Sequence, residues 1–134
     1  MLNRKHKTDS VRTPPFLLKV LESEFGLMHD PVPFNPKWTP SDGDALSTPW
    51  RAVNYVNPPY SKTKAFVKKA FEEWRLGKTV VMLIKVHNLS TKYFETYGKG
   101  AELRILANHL TFPGYDKPSA FGSVLVIYRA HQNS

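Results

Sequence analysis

Apolar residues recur at helical spacing in two stretches of the chain and run unbroken in two others. After Thr13-Pro14-Pro15, the residues Phe16, Leu17, Leu18, Val20, Leu21 and Phe25 form a helical stripe that stops at Gly26. Thr caps helices, Pro fits the first turn and Gly suits the exit, so the pattern predicts a helix here. A second stripe, Phe66, Val67, Ala70, Phe71 and Trp74, alternates with Lys64, Lys68, Glu72 and Arg75 and predicts an amphipathic helix over 62–76, capped by Ser61 and closed by Gly77. Thr79 to Ile84 and Ser123 to Tyr128 are continuous apolar runs, as in strands covered on both faces. Shorter strands are predicted at Leu27 to His29, Ala52 to Val56 and Leu103 to Leu106, and a short helix over 90–97. Five prolines between residues 31 and 50 exclude a helix or central strand and leave a long irregular loop, a feature that in compact domains usually carries function. Met1 to Arg12 is polar and reads as a flexible basic arm, with a single domain over 13–134. Helices alternating with strands imply an α/β layered fold.

Length and composition narrow the class. A chain of 134 residues with 41% hydrophobic and 22% charged residues is one globular domain with one core. It has no cysteine, which excludes disulfides, thiolate metal sites and cysteine nucleophiles, and with them the carbon-5 cytosine methyltransferases. No apolar run reaches the 18 or so residues of a membrane span, so a soluble, intracellular protein without a membrane partner is expected. Lys and Arg number 19 against 11 Asp and Glu, a net charge of +8 that points to a polyanionic partner such as nucleic acid. The excess is uneven. Arg4, Lys5, Lys7 and Arg12 stand against Asp9 at the start, and a lysine-rich stretch begins at Lys62, while Glu22, Glu24, Asp30, Asp42 and Asp44 make residues 22–50 acidic. A duplex avoids the acidic zone; a sulfonium cation does not.

Asn57-Pro58-Pro59-Tyr60 carries the chemistry. Composition alone gives roughly 0.002 chance matches in a chain of this make-up. The motif also has a strand before it and a helix after it, and open α/β sheets bind ligands beyond the carboxyl ends of strands. An adenine exocyclic amine is a poor nucleophile because its lone pair is delocalised into the ring. Two acceptors on its N–H bonds, the Asn57 side-chain oxygen and the Pro58 carbonyl, favour a more pyramidal nitrogen. Pro58 and Pro59 fix φ and offer no N–H, which holds that carbonyl in place. Tyr60 supplies an aromatic face for a base pulled out of the duplex. Direct attack on a methyl sulfonium needs no covalent enzyme intermediate, and so no cysteine.

With these residues the chain resembles the phage-type DNA adenine (N-6) methyltransferases, the phage Dam family, in which N-P-P-Y is the amino-methyltransferase motif. The resemblance runs from Thr13 to about Arg129 and includes Thr13-Pro14, the run from Leu21 to Asp30, Asp44-Ala45-Leu46 with Trp50, N-P-P-Y-S, and the strands 80–84 and 123–128. It implies a reduced Rossmann-like methyltransferase fold with a mostly parallel central sheet flanked by helices. It implies S-adenosylmethionine as cofactor, held by Thr13, Pro14, Asp30 and Asp44, with Asn57, Pro58, Pro59 and Tyr60 catalytic. It implies duplex DNA with a flipped adenine as the partner, and the charge pattern points to Arg4, Lys5, Lys7, Arg12, Lys62, Lys64 and Lys68 as its contacts. The cytoplasm of a bacterial host is the expected setting, with the protein phage or virus encoded. Oligomerisation stays open.

A second reading is a catalytically inactive relative, kept as a basic nucleic-acid-binding or viral structural protein. The run Lys85-Val86-His87, where the family has proline and arginine, and the lack of a glycine-rich cofactor loop favour it; intact N-P-P-Y disfavours it. Gly98-Lys99-Gly100 follows a polar stretch and reads as a turn. The five histidines lack paired metal spacing, so no metal is expected. Trp50 and Trp74 read as core, with Trp38, in the loop, the better placed for a ligand.

Overall fold

A computed structural model describes residues 9–34 and 45–131. In chain order the elements are α1 (Pro15–Phe25), β1 (Val53–Val56), α2 (Thr63–Arg75), β2 (Thr79–Lys85), α3 (Lys92–Tyr97), β3 (Glu102–Ile105) and β4 (Ser123–Tyr128). Apart from the short strand at 27–29, the predicted elements are present within a residue or two. Of that strand only His29 pairs, through one parallel bridge to Asn54 of β1.

The four strands lie in the order β1-β2-β4-β3. β1 and β2 are parallel, joined by α2 as the crossover that parallel strands require. The β2–β4 and β3–β4 pairs are antiparallel. The sheet is therefore mixed, not the mostly parallel one expected. The reason is the last connection: residues 106–122 contain no helix to carry the chain back over the sheet, so β4 returns between β2 and β3 in the opposite sense.

Both faces of the sheet are covered. Val80, Met82, Val124 and Val126 pack with Phe66, Val67, Ala70, Trp50 and Phe94 on one side. Val81, Leu83, Leu125 and Ile127 pack with Leu17, Leu21, Leu110 and Phe112 on the other. All six residues of β4 are buried, which explains its unbroken apolar run. Leu17 and Leu21 are the fully buried residues of α1, whereas Phe16 and Val20 of the predicted stripe are 61% and 57% exposed. Each residue of a helix turns the side chain by about 100°, so the pair one position earlier points away from the sheet.

The two predicted caps act elsewhere. Pro14 is the residue at the N-terminus of α1 and no side chain caps it. The Thr13 hydroxyl instead meets the Tyr55 hydroxyl at 2.7 Å. Ser61 caps nothing; its backbone N–H and hydroxyl both donate to the Asp9 carboxylate.

Candidate active site

β1 ends at Val56 and delivers Asn57-Pro58-Pro59 to the carboxyl end of the sheet. Tyr60–Lys62 form a 3₁₀ turn that leads directly into α2. Pro58 and Pro59 are buried, and Asn57 and Tyr60 half-buried.

The Asn57 amide is oriented by the segment that precedes α1. Its Nδ2 donates to the Val11 carbonyl at 2.7 Å and to Thr13 Oγ1 at 3.1 Å. A carbonyl can only accept, so the group facing Val11 must be the NH₂ and the oxygen must face the other way. Asn57 Oδ1 has no hydrogen-bond partner among the described residues and stands as an open acceptor. Asp9 braces the same loop: its carbonyl accepts the Tyr60 N–H at 2.7 Å, and its carboxylate accepts Ser61 N and Oγ at 2.8 and 2.6 Å. Residues 9–12, expected as part of a basic arm, are thus tied to the motif loop, and Val11 is buried.

A cavity of about 100 Å³ opens beside Asn57, walled by Val11, Arg12, Thr13, Asp30, Tyr55 and Pro59 among others. Asp30 Oδ1 accepts the Val32 N–H at 3.0 Å, an Asx-type turn that leaves the second oxygen without a hydrogen-bond partner among the described residues. Although Asp30 is exposed as a residue, the protein atoms around its carboxyl raise the pKa, against the pull of the Val32 N–H and of His29. Tyr55, buried below Thr13, has a phenol held protonated by desolvation, only partly offset by its bond to Thr13.

Tyr60 stands at the other side of the motif. Its ring meets Phe121 edge to face, centroids 5.9 Å apart. The Lys85 ammonium, at the end of β2, lies 4.0 Å from the Tyr60 centroid and 4.4 Å from that of Phe121. Burial pushes the Tyr60 phenol pKa up, with Tyr115 and Asp9 adding to it. Its oxygen is the one buried side-chain polar atom among the described residues without a hydrogen-bond partner.

The sequence-predicted residues divide. Thr13, Asp30 and Asn57 converge on one cavity. Pro14 does not line it; its carbonyl receives Leu17 N and Leu18 N at the start of α1, which is a helix-start role. Asp44, Trp38, Arg4, Lys5 and Lys7 lie outside the described residues. Arg12 lines the cavity with its guanidinium over the Phe34 ring. Lys64 and Lys68 share the exposed face of α2, and Lys62 is half-buried at its start. Glu24 does not belong to an open acidic zone, because Arg104 and Arg129 hold it. Residues not foreseen as site residues are Asp9, Val11, Tyr55, Lys85 and Phe121. Asp9 had a signal as the single acid in a basic stretch, and Lys85 as part of the run that departs from the family's pattern.

The motif loop and the cavity lie at the carboxyl end of a strand in an α/β sheet, the place where open α/β sheets bind ligands. A model of the family DNA N-6-adenine-methyltransferase (Dam) matches residues 2–132, and the chain belongs to that family. Among curated proteins none matches it. Among the described residues no group of three His, Asp or Glu is placed to hold a metal ion, and no helix is long and apolar enough to cross a membrane.

Proposed function

We propose that this protein methylates the exocyclic amine of adenine in DNA, with S-adenosylmethionine as donor, on a reduced Rossmann-like domain. The observation that supports this most directly is the Asn57 amide, whose nitrogen is committed to Val11 and Thr13 and whose oxygen is open beside the cavity.

The residues around the cavity fit the cofactor. Asp30 keeps one carboxylate oxygen for hydroxyl donors, and a nearby cation would favour its ionised form. The enclosed space of about 100 Å³ is below the roughly 300 Å³ at which sites for whole drug-sized ligands begin, so it takes one part of such a molecule. Thr13, Asp30 and Asn57 would hold that part. S-adenosylmethionine, when bound, supplies a methyl group on an electrophilic sulfonium.

The chain's own residues prepare the nucleophile. Asn57 Oδ1 and the Pro58 carbonyl accept the two N–H bonds of the amine and localise its lone pair. The buried pair Pro58-Pro59 keeps that carbonyl from turning. Asp9, bound to Tyr60 N and Ser61, keeps the loop from swinging away from the sheet. Lys64 and Lys68, on the exposed face of the helix that follows, suit phosphate contacts. Tritiated methyl transfer to unmethylated DNA, followed by digestion and base analysis, tests the reading. Label on N6-methyladenine is expected. Label on cytosine would overturn the adenine assignment, and no label at all would favour a binding protein built on the family's fold.

A further inference from the structure

One edge of the sheet is open. β3 bonds to β4 on one side, and among the described residues no segment pairs with its other side. Leu106 N donates to the Ser123 carbonyl at 3.0 Å, and hydrogen-bonded pairs alternate along an antiparallel ladder. Glu102 and Arg104 therefore turn their backbone groups to β4, while Leu103 and Ile105 turn theirs outward. β3 carries few of the devices that blunt such an edge: it has no proline, no lysine and no bulge. The side chains beside it are apolar. Leu103 and Ile105 project from one face of the sheet and are 44% and 64% exposed. On the other face, Glu24 of α1 reaches Arg104 at 2.6 Å, which fixes the side of α1 that borders β3. Phe16 and Val20 lie eight and four residues before Glu24, on that same side, and both are exposed. The local charge is balanced: Glu24 and Glu102 stand against Arg104 and Arg129, so the net +8 resides elsewhere.

We propose that β3 pairs antiparallel with β3 of a second copy of this chain, about a two-fold axis perpendicular to the sheet, giving a homodimer with one continuous sheet of four strands from each copy. Backbone and charge select the register. The outward backbone groups belong to odd-numbered residues, so the new hydrogen-bonded pairs join odd to odd. Centring the axis on Leu103 sets Leu103 against its own copy and Ile105 against Ala101. It also sets Glu102 against Arg104 on both sides of the axis, in the closely spaced pairs where side chains meet. Centring it on Arg104 would oppose two arginines, which like charge disfavours. A perpendicular axis keeps each face of the sheet on its own side, so Phe16 and Val20 of the two α1 helices approach each other over the seam. That stripe widens an edge of four residues, which by itself falls short of the roughly 800 Å² per partner of a standard interface. The motif loops, at the carboxyl ends of the two β1 strands, then point in opposite directions, and each protomer meets DNA by itself. The pairing requires neither cofactor nor DNA.

The test is sedimentation equilibrium on the full chain, loaded at roughly 1 to 500 μM, a span that reaches the weak end of interface affinities. The mass should rise with concentration from 15.3 kDa toward twice that value. Leu103→Lys sets two ammonium groups against each other at the axis and should hold the mass at 15.3 kDa, with Tm near wild type because the position is exposed. Ile105→Pro removes an outward N–H that β4 does not use and should do the same through the backbone. If Ile105→Pro fails to fold, Leu103→Lys decides alone. Glu102→Arg and Arg104→Glu should each be monomeric, since each opposes like charges across the seam. Mixed in equal amounts they should dimerise, because every arginine then faces a glutamate. A wild type that stays at 15.3 kDa at every concentration would overturn the proposal. So would a dimer that persists in Leu103→Lys, which would lie on another face, or a mixture of the two charge variants that stays monomeric.

Discussion

The catalytic role proposed for Asn57 rests on one amide, because only one of its ends can face the substrate. Val11 and Thr13 take the nitrogen end, so Asn57→Ala removes an acceptor that acts on the amine as it becomes nucleophilic. The loss belongs in the rate and not in the Michaelis constant. A fall in kcat of about 10²–10³, or roughly 3–4 kcal/mol, is expected from single-turnover methyl transfer. Folding should suffer by only about 1 kcal/mol, since the abandoned partners are one backbone carbonyl and a Thr13 hydroxyl that keeps its bond to Tyr55. Thr13→Val tests the orientation itself: the shape is kept while the bonds to the Asn57 amide and to Tyr55 are lost, so kcat should fall, and cofactor heat in calorimetry should fall with it. Tyr60→Phe should do the reverse of harm. The Tyr60 oxygen is buried without a hydrogen-bond partner, and removing it relieves a desolvation penalty of about 1 kcal/mol. A higher Tm with methyl transfer intact is the expected result; a lower Tm would show that the hydroxyl has a role. The motif was legible in the sequence because N-P-P-Y is local. The orientation of its amide was not, because the partners lie 44 and 46 residues away.

Elements show the same divide. The apolar runs 79–84 and 123–128 were readable as strands covered on both faces, since a strand buried twice has no polar side to alternate with. Which way β4 runs was not readable, because no local pattern in 106–122 states its partner. In α2 the apolar stripe was legible and Glu73 was not. Its carboxylate is 3% exposed as a residue, receives Trp50 N at 2.9 Å, and pairs with Lys69 at 3.0 Å and Lys78 at 2.5 Å. Lys78 also donates to the Trp50 carbonyl, so this one carboxylate joins α2, the turn before β2 and the segment entering β1. Glu73→Ala leaves two lysines and a buried N–H without their partner, and should cost about 3–5 kcal/mol in urea unfolding. Burial pushes the Glu73 pKa up, but Lys78, the Trp50 N–H and Lys69 outweigh it and the net direction is down. A depressed folded pKa means that this stability is fully present above the unfolded carboxylate value, near 4.5, and is lost as pH falls through the folded one. Wild-type stability should therefore drop on acidification below about 4.5, and the drop should be smaller in Glu73→Gln. Equal acid profiles for the two proteins would show that Glu73 is not the group responsible.

Charge is a property of the whole molecule, and its distribution in space differs from that in sequence. The +8 excess was legible, and it suggested a nucleic-acid partner. Less so was that part of the apparent acidic zone is already neutralised: Glu24 on α1 is held by Arg104 and Arg129, which also hold Glu102, fastening the helix end to β3 and the end of β4. Those arginines lower the Glu24 pKa to about 2, and as surface ion pairs they leave two of the chain's cations unavailable to DNA. Lys69 and Lys78 are likewise spent on Glu73. Arg4, Lys5 and Lys7 of the first eight residues, with Lys64 and Lys68 on the exposed face of α2, are the phosphate contacts the proposed function uses. If three to five phosphates are met, log affinity for duplex DNA should fall against log salt with a slope of roughly −3 to −4.5. Deleting residues 1–8 removes Arg4, Lys5 and Lys7 and should make that slope less negative by up to about 2.7. It should leave kcat at saturating DNA unchanged, because Asp9, Val11 and Thr13, which hold the motif loop, remain. Extending the deletion through residue 12 takes away the Asp9 brace on Tyr60 and Ser61 and the Val11 acceptor for Asn57, and kcat should then fall as well. Filter binding across a salt series with methyl-transfer rates on both truncations separates the two effects. An unchanged slope after removing residues 1–8 would rule out their role in phosphate binding, and an unchanged kcat after removing 1–12 would rule out the role assigned to the segment that holds Asn57.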